Sequence, residues 1–167
     1  MSAELFIVRR GEDGWLPNLV RGVSVWRLAP DLNVDELFGG CLIEPDVNGP
    51  DSLPAEVEWD LTGLVPLAQA LELHPREVRV AKADFLARVE RAAELFGTPA
   101  YERFAGAFTL PGLDQLEHWF YDPVGKRLRV MRWGARARGI AAREAKVYGP
   151  AAHITEQRAR PAPRPER

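Results

Sequence analysis

Cysteine is nearly missing from this chain. Cys41 is the only one in 167 residues, so no intrachain disulfide can form and the composition fits a reducing compartment. Lysine is scarce too. Of the 22 basic residues 19 are arginine, with lysine only at 82, 126 and 146. GC-rich coding produces such a skew, so the charge carries more meaning than the identity of each arginine. No stretch approaches the roughly 18 consecutive apolar residues of a membrane span. Residues 1–10 lack the basic start and long apolar run of a secretory signal. The expectation is a bacterial cytoplasmic protein with no membrane partner.

Catalytic and metal-binding patterns are missing as well. Histidine occurs only at 74, 118 and 153, and no two sit at metal-ligand spacing. There is no His-Glu-x-x-His, no Cys-x-x-Cys and no glycine-rich phosphate loop ending in Lys-Ser/Thr. None of the three serines, Ser2, Ser24 and Ser52, lies in a Gly-x-Ser-x-Gly elbow. These absences nominate no catalytic residue, no metal and no cofactor.

What is present is a globular composition with an uneven charge. The 46% hydrophobic and 28% charged residues suit a folded domain, and this length supports one core without staples. Residues 1–122 hold 21 acidic against 10 basic side chains, whereas residues 123–167 hold 3 against 12. An acidic body therefore leads into a basic C-terminal quarter. Such asymmetry marks contact with something negative: nucleic acid, an anionic surface or an acidic protein face.

Periodicity outlines the elements. Leu5–Val8 reads as a strand buried on both faces, Gly11–Gly14 as a turn, and Val20–Leu28 as a strand stopped by Pro30. Cys41–Ile43 reads as a short apolar strand, 44–54 as an acidic loop, and Val57–Leu61 as a half-buried strand. Leu64–Leu73 is expected to be a helix ended by His74-Pro75. Val78, Ala81, Phe85, Val89, Ala92 and Phe96 mark one stripe of an amphipathic helix. Thr98-Pro99 should open a further helix ending near Gly106. Ile140–Tyr148 reads as one more short helix or strand. From 149 onward Pro161, Pro163 and Pro165 alternate with Ala and Arg, which predicts an extended or disordered tail.

The sharpest local signal is a hairpin. Leu116–Tyr121 and Arg127–Trp133 flank Asp122-Pro123-Val124-Gly125-Lys126, read as a type I turn with Gly125 in the left-handed position of a bulge. This register pairs Phe120 with Leu128 and His118 with Val130 on the core side. It puts Trp119 opposite Arg129 and Tyr121 opposite Arg127 on the outer side, with Trp133 further along. Trp119, Tyr121, Arg127, Arg129, Trp133, Arg136 and Arg138 are thus the candidate binding residues. Aromatic rings among arginines on a sheet can anchor a protein partner or stack single-stranded nucleic acid. They also suit an ordinary exposed hairpin with guanidinium groups lying over rings, or a segment covered by the acidic body of its own chain. The protein interface and the ordinary hairpin weigh about equally, and nucleic acid ranks behind both.

Other chemistry is thinner. His118 and Asp122 would stand about 13 Å apart along one strand, so they form no dyad, and His118 reads as a core histidine. Cys41 follows Gly39-Gly40 but precedes an apolar strand, and reads as a small buried residue. Glu44-x-Asp46-x-Asn48-Gly49 resembles the start of a calcium loop. Ala55 stands where a bidentate Glu is needed and Pro50 falls at position seven, leaving a remote cation site at Asp46, Asn48 and Asp51.

The sequence therefore predicts an α+β domain over residues 1–148, a mainly antiparallel sheet packed against two or three helices. A basic tail follows over 149–167. The functional expectation is a non-enzymatic interaction or assembly subunit that grips an acidic protein surface, or another copy of itself. The alternatives are a single-strand nucleic-acid binder using the same surface, and a small enzyme whose site converges only in three dimensions.

Overall fold

Period-two apolar patterns make many short strands here, and one 3.6-residue pattern makes the long helix, which packs on the late hairpin. The computed structural model describes residues 5–138 and 147–148. In chain order these form β1 (Leu5–Arg9), β2 (Trp15–Pro17), β3 (Leu19–Val20) and β4 (Val23–Ser24), then a 3-10 turn and α1 (Ala29–Leu32). Next come β5 (Asp46–Asn48), β6 (Glu56–Asp60), β7 (Val65–Pro66), α2 (Leu67–Leu73) and α3 (Pro75–Leu95). The last elements are β8 (Leu110–Pro111), β9 (Trp119–Asp122), β10 (Arg127–Val130), β11 (Ala135–Ala137) and β12 (Val147–Tyr148). The chain is α+β, as its patterning predicts. Among the described residues no helix is long and apolar enough to cross a membrane.

All strand pairs are antiparallel. Two three-stranded sheets, β1-β6-β5 and β10-β9-β7, stand beside three two-stranded pairs, β11-β2, β12-β8 and β3-β4. Helix α3 starts at a first-turn proline and buries Val78, Ala81, Phe85, Val89 and Ala92, the predicted stripe. Phe85 meets the Trp119 ring edge-on at 5.1 Å, while Phe38 stacks on Phe108 at 4.8 Å. Aromatic packing of this geometry adds about 0.5–1.5 kcal/mol per pair beyond area burial.

Several elements differ from expectation for local reasons. Val20–Leu28 does not continue as one strand, because Arg21 and Gly22 both take left-handed angles (φ 52° and 82°). They make a two-residue hairpin turn between β3 and β4. Ser24 Oγ then accepts from the Trp26 amide at 3.2 Å and opens a 3-10 turn instead. Thr98 does not cap a new helix; its hydroxyl donates to Leu95 O at 2.6 Å and closes α3. Only a 3-10 turn, Glu102–Phe104, forms beyond it. Residues 46–48 leave the expected loop and pair with β6. β1 is a strand, but Leu5, Phe6 and Ile7 are 53%, 38% and 50% exposed, so it is not buried on both faces. The expected tail, 149–167, lies outside the described residues, and of 140–148 only β12 lies within them.

Residues 41–43 form a single parallel bridge to the hairpin, Leu42 with Val130, in place of a full strand. Asn33 holds the other side of Leu42. Its amide donates to Leu42 O at 2.7 Å and accepts from Leu42 N at 3.1 Å, imitating a strand partner. Leu42 is fully buried, so Asn33→Ala strands two backbone groups. The expected cost is about 1–3 kcal/mol, read as a lower urea midpoint at an unchanged slope.

Candidate functional site

The hairpin forms, but one residue out of the expected register. Asp122 Oδ1 accepts from the amides of Val124 and Gly125, both at 3.0 Å. The Lys126 amide closes the turn onto Asp122 O at 2.7 Å, and Lys126, not Gly125, takes the left-handed angle at φ 55°. The Asp122 carboxylate thereby organises a four-residue loop. A Cβ on Gly125 would stand 2.9 Å from Asp122 Oδ2, so glycine is needed for space beside that carboxylate.

The extra loop residue exchanges the faces. Trp119 now lies opposite Val130 and Tyr121 opposite Leu128, while Phe120 faces Arg129 and Asp122 faces Arg127. The expected outer aromatic face is therefore turned into the core. Trp119 is fully buried under Phe85, with its indole N–H donating to Gly112 O at 3.0 Å. Tyr121 is buried beside the His74 ring at 5.9 Å.

Trp133 is likewise fully buried. Its neighbours Arg132 and Gly134 both take left-handed angles (φ 58° and 64°), so β10 ends at Val130 and the chain folds Trp133 inward. The Trp133 indole N–H donates to Ile43 O at 2.8 Å, and its carbonyl accepts from the Trp26 indole at 2.6 Å. A Cβ on Gly134 would stand 2.6 Å from Val25 Cγ1, so the turn needs glycine for both space and angle.

The arginines divide into two groups. Arg129 is half-buried 3.5 Å from Asp122, in a cleft of about 430 Å³ that Glu44, Asp60 and Thr62 also line. Arg127 is half-buried and donates to Gly39 O. Arg136 is exposed, with one guanidinium N–H on Pro17 O at 2.8 Å, and Arg138 is exposed at the end of the described body. A carbonyl satisfies a donor without cancelling its charge. Arg136 and Arg138 meet no carboxylate at ion-pair distance among the described residues.

Periodicity gave no hint of a polar cluster centred on Arg132. Its Nε donates to Asp13 at 2.9 Å, one terminal nitrogen lies 3.2 Å from His118 Nδ1, and the guanidinium sits 5.1 Å over the Phe6 ring. Arginine can only donate, so Nδ1 accepts and the His118 proton resides on Nε2. That Nε2 has no hydrogen-bond partner among the described residues; the exposed Glu117 carboxylate is 3.5 Å away. His118 is only 2% exposed and edges the Trp15 ring at 4.9 Å. Burial, reinforced by Arg132 and opposed by Asp13, pushes its pKa down to about 4. It is a core histidine as predicted, but in a 3-10 turn (Leu116–His118) ahead of β9, outside the strand.

Cys41 is buried, and burial outweighs Arg88 and Arg127 to push its thiol up to about 11, far from an activated thiolate. Asp46 and Asn48 lie in β5 and Asp51 sits 3.7 Å from Arg27. No cluster of metal-ligating side chains forms among the described residues. With this geometry in hand, the chain matches no protein family, no curated protein and no solved structure.

Proposed function

We propose that this protein is a non-enzymatic interaction or assembly subunit of a bacterial cytosol. Its basic C-terminal segment, starting at β11, grips an acidic protein surface. The observation carrying this reading is the exposure of Arg136 and Arg138 without a carboxylate partner among the described residues. They lead into a stretch that adds Arg143, Lys146, Arg158, Arg160, Arg164 and Arg167. Trp119, Tyr121 and Trp133 support the domain from within, so these three rings are not anchors and the contact rests on charge. Nucleic acid bound here would be held chiefly by its phosphates, because Trp119, Tyr121 and Trp133 are buried and not open to stacking.

The test is anisotropy of the full chain with labelled poly-glutamate and with a single-stranded oligonucleotide, at ~0.05 and ~0.5 M salt. The expected result is binding to poly-glutamate that fades at high salt, where the Debye length falls about threefold. Arg136→Glu with Arg138→Glu should weaken it at least about tenfold, the penalty of placing like charges together. No binding to poly-glutamate at low salt overturns the reading. Tighter binding to the oligonucleotide, with log affinity falling linearly in log salt, replaces it with nucleic-acid association.

A further inference from the structure

One face of the β1-β6-β5 sheet is uncovered among the described residues, and its chemistry is opposite to that of the C-terminal segment. Residues directly opposite in an antiparallel pair share a face. Leu5 pairs Asp60, Ile7 pairs Glu58 and Arg9 pairs Glu56, while Asp46 pairs Glu58. This outer face therefore presents Asp46, Glu56, Glu58 and Asp60, with Arg9 as its one cation, 3.8 Å from Glu56. The inner face carries Phe6, Val8, Val57 and Trp59. Asp46 opposite Glu58 is a like-charge cross-strand pair, which destabilises a sheet unless something cationic covers it.

β1 is also an edge of this sheet, with no strand beyond it among the described residues. Edge strands are normally blunted by charged side chains, proline or a bulge, and in β1 only Arg9, at its end, is of that kind. Leu5 and Ile7 are 53% and 50% exposed and lie beside the acidic row. The Arg10 amide bonds to Ala55 O at 3.0 Å. That sets the phase of the ladder, so the Leu5 and Ile7 backbone groups point away from β6.

We propose that this face is the receptor for residues 149–167 of a second copy of the chain. The proposal rests on the reading above, that the basic segment seeks an acidic protein surface, and names that surface. The segment holds four arginines against two glutamates. Arg158 and Arg160 are two residues apart, as are Glu56, Glu58 and Asp60. In extended chain both rows repeat at about 7 Å, so consecutive guanidinium groups meet consecutive carboxylates. Arginine stems and the prolines at 161, 163 and 165 provide apolar surface for Leu5 and Ile7. A tail on one copy and a receptor on the next make a heterologous contact, which builds rings or open chains.

Sedimentation velocity of full-length variants tests this. The wild type is expected to self-associate at ~0.05 M salt and to be monomeric at ~0.5 M. Reversing the face (Glu56→Lys with Glu58→Lys) or the segment (Arg158→Glu, Arg160→Glu and Arg164→Glu) should each weaken association about 100-fold or more. Thermal melts check that each set of changes leaves the fold intact. Mixing the two reversed chains should restore association to within about tenfold of wild type, since each tail again meets an opposite face. A tail reversal that dissociates the protein while the face reversal does not leaves the basic-segment reading standing and overturns this receptor. Failure of the mixture to re-associate, or a wild type monomeric at ~0.05 M, also overturns it. Association unaffected by either reversal overturns both.

Discussion

Trp133→Ala is expected to remove about 3–5 kcal/mol of stability, the usual range for emptying a buried large aromatic site. The ring is fully buried and lies 6.1 Å from the Phe108 ring. Its indole N–H also satisfies Ile43 O, and an orphaned carbonyl in the interior adds to the loss. Against total stabilities of about 5–15 kcal/mol, such a change brings a domain close to unfolding. Trp133→Phe keeps most of the ring but drops the donor, so a smaller loss of about 1–3 kcal/mol is expected. Arg136→Ala, on the surface a few residues later, should stay within about 0.5 kcal/mol. Urea unfolding of the three variants separates the outcomes. A wild-type midpoint for Trp133→Ala would mean that this tryptophan is a surface residue after all, and would return it to the list of partner contacts.

How far the sequence could be read depended on whether a pattern spanned several turns or hung on a single angle. Helix α3 was legible because its apolar residues repeat over 21 positions, so an error of one residue at either end changes nothing. Strand β6 was legible from strict alternation, and α2 stopped where His74-Pro75 required. The hairpin was legible as a hairpin. Its register was not, because that turned on whether Gly125 or Lys126 would take the left-handed angle. The Asp122 carboxylate bonding two amides across the turn decided this. One residue of slip exchanged the faces and moved Trp119 and Tyr121 into the core; the bend at Arg132 and Gly134 did the same for Trp133, while Arg136 and Arg138, beyond both, stayed exposed.

Other features depend on contacts distant in sequence. The Asp13–Arg132–His118 cluster joins residues 119 and 14 positions apart, and no local spacing announces it. The one available signal was composition: a charged residue immediately before a buried tryptophan and glycine, at a bend. The acidic sheet face was half visible. Glu56, Glu58 and Asp60 alternate openly in β6, but adding Asp46 and the exposed Leu5 and Ile7 required the strand order β1-β6-β5.

The fold should lose stability steeply on mild acidification, and His118 is the group responsible. Its folded pKa of about 4 lies below the ordinary 6.5. As pH falls below 6.5 the unfolded chain takes up a proton that the folded chain refuses, so unfolding becomes easier. The contribution is complete above about pH 6.5, declines by up to about 1.4 kcal/mol per pH unit, and is spent near pH 4. The 2% exposure of the ring leaves little solvent screening, so a total of about 3 kcal/mol is expected over this window. Asp13, Arg132 and Glu117 are the charged groups around the ring. Arg132 opposes a second positive charge 3.2 Å away, while Asp13 and the exposed Glu117 favour it without offsetting burial. His118→Gln can still accept from Arg132 but cannot titrate. Its stability at pH 7 should be lower than wild type, and its slope between pH 6.5 and 4 should be shallower by about one proton. Urea unfolding at four or five pH values measures both slopes. Equal slopes for the two proteins would mean that the fold leaves His118 at its ordinary pKa, with Arg132 displaced from it.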